Sequence, residues 1–96
     1  PMAIKILIKR DLAADKIREL LPLIKKLRTL ATNQPGYISG ETLRSIENPG
    51  EYLVISTWLS LQDWRNWFEN PERLAVQKEI DALTGKAAEY QLYDYA

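Results

Sequence analysis

The sequence predicts an α+β domain in which one four-stranded antiparallel sheet carries helices on a single face. Three observations predict it. The apolar period alternates between strand-like and helix-like stretches in the order strand, helix, strand, strand, helix, strand. The punctuation Glu47-Asn48-Pro49-Gly50 reads as a hairpin turn between the two middle strands. The first and third strands are apolar on both sides at their centres, so a single layer of helices leaves greasy surface over.

Ala3 to Lys9 reads as the first strand, with Ile4, Ile6 and Ile8 on one face and Lys5, Leu7 and Lys9 on the other. Asp11 to Asn33 reads as a long helix. Its stripe is Ile17, Leu20, Leu21, Ile24, Leu27 and Ala31, widened by Leu23 and Leu30, and Asp11 or Asp15 is placed to cap it. Pro22 deletes one backbone bond opposite that stripe, which predicts a kink on the solvent side rather than a break. Gln34-Pro35-Gly36 stops the helix. Tyr37 to Ile46 is the next strand, and Gly40 inside it marks a bulge or a close backbone approach.

Tyr52 to Leu59 returns with Leu53 and Ile55 on one side and Tyr52, Val54 and Trp58 on the other. Ser60-Leu61-Gln62-Asp63 has the form of a capping box with a shortened acid. The short helix behind it gathers Leu61, Trp64, Trp67 and Phe68 on one side and turns Asn66 to the other. Asn70-Pro71-Glu72 opens a further helix with a cap, a first-turn proline and an acid. Val76, Ile80 and Leu83 form its stripe, and Gly85 ends it. Ala88 to Tyr95 is the last strand. Short connections and right-handed crossovers turn this order into a ferredoxin-like β-α-β-β-α-β sandwich, its second helix in two pieces. The second apolar face of the sheet calls for a cover. A second copy is the simplest one, giving a homodimer packed sheet against sheet that would bury about 1,500 Å².

The composition narrows the chemistry. Ninety-six residues fit one domain, 1–96. The formal net charge is zero, so nothing in the balance points to nucleic acid. The chain has neither cysteine nor histidine, which removes thiolate chemistry, the commonest general base and the commonest metal ligand. No metal site is expected. No apolar run is long enough for a membrane span and no secretory signal is evident, so a cytoplasmic protein without membrane contact is the expectation.

What stands out is the aromatic stretch. All three tryptophans, Trp58, Trp64 and Trp67, and the single phenylalanine, Phe68, fall together. Tyr37, Tyr52, Tyr90 and Tyr93 are placed to join them around a cavity between sheet and helices. Packing alone accounts for any one ring, since burying each stabilises the fold by roughly 2–3 kcal/mol. The set exceeds what a small core needs, and apolar pockets with a few polar groups are where small molecules bind.

Pro35-Gly36-Tyr37-Ile38-Ser39-Gly40-Glu41-Thr42-Leu43, then Ser56-Thr57-Trp58, then Trp64 to Trp67 resemble the antibiotic biosynthesis monooxygenase domain family. The resemblance runs along essentially the whole chain. It implies a dimeric ferredoxin-like α+β barrel. Members include cofactor-free oxygenases of aromatic polyketides and quinols, haem-degrading enzymes and an isomerase of a signal molecule. The haem-degrading members use a helix tryptophan, a histidine about ten residues later and an asparagine on the first strand. Trp67 matches the tryptophan, but Gln77 stands where the histidine belongs and the first strand offers Ile and Lys. A carboxamide does not replace the axial nitrogen of histidine on haem iron. No cofactor is therefore expected.

By the same resemblance, the oxygenase branch binds an electron-rich phenol, strips its water and stabilises its anion, with no metal or flavin. Trp67 carries over as the catalytic candidate. Trp58, Trp64, Phe68, Tyr37, Tyr52, Tyr93 and Gln77 are the substrate-binding candidates, and Arg44 or Arg65 is available to pair with an anion. The alternative is a non-catalytic small-molecule-binding or interaction module on the same barrel. A third reading makes Pro1 a base, because an N-terminal amine titrates at about 7.7–8. Met2 follows it as an initiator would, so Pro1 stays off the site list.

Overall fold

A computed structural model describes residues 3–96, so the reading that gave Pro1 a role falls outside the described residues. Strand β1 (Ile4–Asp11) leads into a 3₁₀ turn (Ala14–Lys16) and helix α1 (Ile17–Thr32). Strands β2 (Tyr37–Arg44) and β3 (Glu51–Trp58) follow, then helices α2 (Leu61–Phe68) and α3 (Pro71–Thr84) and strand β4 (Glu89–Asp94). The sheet is antiparallel throughout in the order β2-β3-β1-β4. This is the expected ferredoxin-like order.

Register sorts the side chains. Ile4, Ile6, Ile8 and Arg10 stand opposite Trp58, Ser56, Val54 and Tyr52, so these eight share the inner face. On β4, Leu92 and Tyr90 pair with Ile6 and Ile8 and join the same face. The helices close over it. Ile6, Leu20, Trp58, Trp64, Trp67, Val76 and Ile80 are buried in one cluster.

The first strand runs two residues past its expected end. Asp11 still pairs with Glu51, and buried Leu12 donates its backbone N–H to the Gly50 carbonyl at 2.6 Å. The helix consequently starts late. Neither Asp11 nor Asp15 caps it, and Lys16 at its start makes no side-chain cap bond. Pro22 sits exposed inside an uninterrupted α1. Leu21 does not belong to the stripe. It is half exposed, while Leu23 and Leu30 pack against the core, because α1 centres Leu20 and Leu27 on the sheet and turns the next residue outward.

The caps behave as their chemistry dictates. Ser60 Oγ accepts from the Asp63 backbone N–H at 3.1 Å and donates to Asp63 Oδ2 at 2.9 Å. Asn70 Oδ1 accepts from the backbone N–H groups of Glu72 and Arg73. Gly36 holds a positive φ of 84°, and a Cβ there would lie 2.3 Å from Asp63 Oδ2, so only glycine lets this turn meet the start of α2.

Among the described residues no helix covers the outer face of the sheet. Leu7, Leu53 and Ile55 are half-buried on it, with Leu43 and Tyr93 exposed beside them and Lys5 bonding Thr57 Oγ1 at 2.9 Å. Among the described residues no helix is long and apolar enough to cross a membrane.

Candidate functional site

Between α1, α2 and the inner face lies a mainly apolar cavity of about 80 Å³. Counted as positions for water, that is room for on the order of six molecules, the scale of one substituted aromatic ring. Trp58, Trp64, Trp67, Phe68 and Tyr37 all line it, with Ile8, Ile24, Leu27 and Val54 between them.

The aromatic wall is built by two elements. Trp58 ends β3 facing inward and stacks on Trp67 of α2, with centroids 6.4 Å apart and planes 21° apart. Its indole N–H donates to Ser56 Oγ at 3.1 Å, which satisfies the one polar atom of a ring that is 1 % exposed. Tyr37 meets it edge-on at 5.3 Å. Trp64 and Phe68, one turn apart on α2, lie 4.9 Å apart and both reach Tyr90 of β4.

Strand β2 shapes the mouth. Tyr37 pairs with Trp58 but Ser39 pairs with Thr57, so Ile38 is an extra residue in the ladder. The bulge puts Tyr37 and Gly40 on the same face, and a Cβ on Gly40 would sit 2.5 Å from the Tyr37 hydroxyl. The missing side chain makes space for that phenol. Arg28 of α1 lines the mouth and donates to the Gly40 carbonyl at 3.4 Å.

The far end is basic. Arg10 of β1 and Arg73 of α3 line the cavity and are 6 % and 5 % exposed. Among the described residues neither guanidinium forms an ion pair. Their acceptors are neutral. Arg73 donates from Nε to the Phe68 carbonyl at 2.7 Å and from Nη1 to the Tyr90 hydroxyl at 3.3 Å, with its guanidinium 4.2 Å above the Phe68 ring. Arg10 donates from Nη1 to Gln77 Oε1 at 3.2 Å, and its buried Nε has no acceptor. Burial is the main cause that holds the Arg10 guanidinium below its ordinary value. The Arg73 charge adds to it, against opposing effects of Tyr90 and Asp81.

Several expected residues are placed elsewhere. Tyr93 stands opposite Lys5, on the outer face, because strand alternation sends it away from Tyr90. Tyr52 is on the inner face but at the far end of β3, in a separate groove with Leu12, Ile17 and Arg44. Gln77 does not line the cavity. Its Oε1 accepts from Arg10 and from the Tyr90 hydroxyl, and its Nε2 donates to Asp81 Oδ1 at 2.8 Å. Every polar atom of that carboxamide is engaged within the protein. Arg44 and Arg65 are exposed and away from the cavity, and Asn66 points outward to Gln62. Arg10, Arg73 and Tyr90 are the polar side chains that line the basic end instead. The alternation Ile4-Ile6-Ile8-Arg10 was the available signal for Arg10, since it continues the inward row by one step.

A four-stranded antiparallel sheet backed by helices on one face, with an aromatic-lined cavity between them, defines a ferredoxin-like α+β fold. The chain belongs to the antibiotic biosynthesis monooxygenase family, whose model matches residues 3–79. A conserved protein from Methanosarcina mazei superposes with a TM-score of 0.90 at 18 % identity, covering 99 % of this chain and 94 % of that one. SnoaB, a cofactor-independent oxygenase from Streptomyces nogalater, superposes with a TM-score of 0.81 at 16 % identity, covering 100 % of this chain and 95 % of that one. At such identities the likeness shows the fold. Protein SchA of Streptomyces halstedii is 23 % identical over 78 residues, which are 81 % of this chain and 20 % of SchA. The chain thus spans about one-fifth of that curated relative.

Proposed function

We propose that this domain is a cofactor-independent monooxygenase that oxidises a small phenol or quinol held in the cavity. The observation that carries the reading is the stacked Trp58–Trp67 wall, facing a one-ring space that ends at two buried guanidiniums. Family membership and the likeness to a cofactor-independent oxygenase support it.

The chemistry asks little of the protein. A phenolate with a free C–H ortho or para to its oxygen transfers electrons to dioxygen, and the new C–O bond forms at that carbon. Loss of water then leaves a quinone, so phenol and O₂ give quinone and H₂O with no outside reductant. Trp67 and Trp58 hold the ring, Trp64, Phe68 and Tyr37 exclude water, and the basic end stabilises the anionic oxygen. A cytoplasmic homodimer joined through the outer sheet face, where Leu7, Leu53 and Ile55 lie, completes the proposal.

Oxygen uptake with a panel of single-ring hydroquinones and phenols, ordinary and acidic ones alike, tests the reaction. The expected product carries one labelled oxygen from ¹⁸O₂, with no hydrogen peroxide released. Uptake no faster than the uncatalysed background across the panel rules the reaction out. That result, together with a ligand recovered unchanged from the purified protein, establishes the second reading, a binding module. The lining favours it in one respect, because it contains no histidine, cysteine or lysine to act as base. Sedimentation of a monomer at micromolar concentration removes the dimer.

A further inference from the structure

We infer that the cavity selects a ring that is already a phenolate in water, its charged oxygen seated against Arg10 and Arg73. This names the substrate class of the proposed monooxygenase and rests on that reading for its catalytic meaning, though binding alone tests it.

Two observations converge. The first is a charge imbalance. Two guanidiniums, each more than nine-tenths buried, line one end of an apolar cavity, and among the described residues neither is ion-paired with an acid. Asp81 is hydrogen-bonded to Arg10 only by way of the Gln77 carboxamide, and its charge offsets only part of what burial costs that guanidinium. Burying charge without a counter-ion is costly, and neutral acceptors recover only part of it. Among the described residues the Arg10 Nε–H remains a buried donor with no acceptor. An anionic oxygen at this end of the cavity supplies the missing negative charge.

The second is that, among the described residues, the lining turns no general base inward to take a proton. Its single acid, Glu41, pairs with Ile55 and so stands on the opposite face of β2. A neutral phenol entering here would have to shed its proton to a side chain the cavity does not provide. A ring that ionises in bulk water enters with that step complete. The cavity therefore favours acidic phenols over ordinary ones, and the planar guanidiniums favour them over neutral ethers of the same shape.

The test compares 4-nitrophenol, which ionises near neutral pH, with 4-nitroanisole, its uncharged methyl ether, by isothermal titration calorimetry on the intact protein. Above neutral pH the phenolate is expected to bind at least tenfold more tightly than the ether. Equal affinity overturns the inference without any variant. Arg10→Met and Arg73→Met are each expected to weaken the phenolate at least tenfold and leave the ether within threefold, which also reports that the cavity is intact. Either variant binding phenolate as the wild type does counts against that arginine. The two readings fail separately. Arginine-dependent phenolate binding without oxygen uptake keeps this inference and ends the monooxygenase. Oxygen uptake that is equal for acidic and ordinary phenols and indifferent to both variants does the reverse.

Discussion

The aromatic wall of the cavity takes its rings mainly from one stretch, Trp58 to Phe68, whereas the basic end gathers Arg10 from β1, Arg73 and Gln77 from α3 and Tyr90 from β4. The wall is held by ring packing and one indole bond. The basic end is held by a chain of hydrogen bonds whose members are of little use singly. Dispersion and burial are forgiving of small displacements, but a network is only as good as its least satisfied member. The wall should therefore answer to mutation chiefly in stability, and the basic end chiefly in recognition.

Trp58→Ala is the largest expected break. It empties the centre of the wall and removes the partner of Trp67 and Tyr37, at a cost of about 3–5 kcal/mol in denaturant unfolding. A loss under about 1 kcal/mol would mean the rings are mobile rather than packed. Gln77→Ala tests the other end. Arg10 and the Tyr90 hydroxyl lose a shared acceptor, so stability should fall by about 1–3 kcal/mol. Binding of 4-nitrophenolate should weaken at the same time although residue 77 never touches the cavity. Unchanged binding would show that Arg10 holds its place without help.

Asn70→Ala is a smaller lever on the same end. Asn70 caps α3 and accepts from the Arg73 backbone, and its removal should cost about 1 kcal/mol in a thermal or denaturant melt. The smallest effect lies outside both regions. The exposed pair Asp11–Lys86 ties β1 to the loop before β4. Its hydrogen bond holds the Asp11 carboxyl below its ordinary value and the Lys86 ammonium above it. The Asp11 contribution is present above the ordinary carboxylate range and fades as pH falls through the lowered value. That of Lys86 is present below the ordinary lysine range and fades as pH rises through the raised value. Stability should thus dip slightly at both extremes, and melts in high salt should erase the dip. Asp11→Asn should leave phenolate binding untouched.

The same contrast explains what could be read from the residues. Strand order, both helix caps of the second half and the gathering of Trp58, Trp64, Trp67 and Phe68 follow from local spacing, and local spacing is written in the chain. The basic end follows from register, which brings Arg10 within reach of Gln77, distant in sequence, and is written nowhere locally. Tyr90 and Tyr93 show the limit. Both are aromatic residues of one strand, and only their parity relative to β1 decides that one meets the cavity and the other the outer face. Leu21 shows it for helices, where a broad stripe leaves the exact centre to tertiary packing.

The supernumerary residue in β2 has a further consequence. Without Ile38 the ladder would keep its pairing from Ser39 onward, but everything before it would trade sides, and the Tyr37 phenol would swing to the far surface of the sheet. An insertion or deletion in a loop changes only how long that loop is. Here a single deleted codon would unfurnish the entrance while sparing the helices, so lineages diverging in substrate choice have at this position a switch coarser than any point substitution.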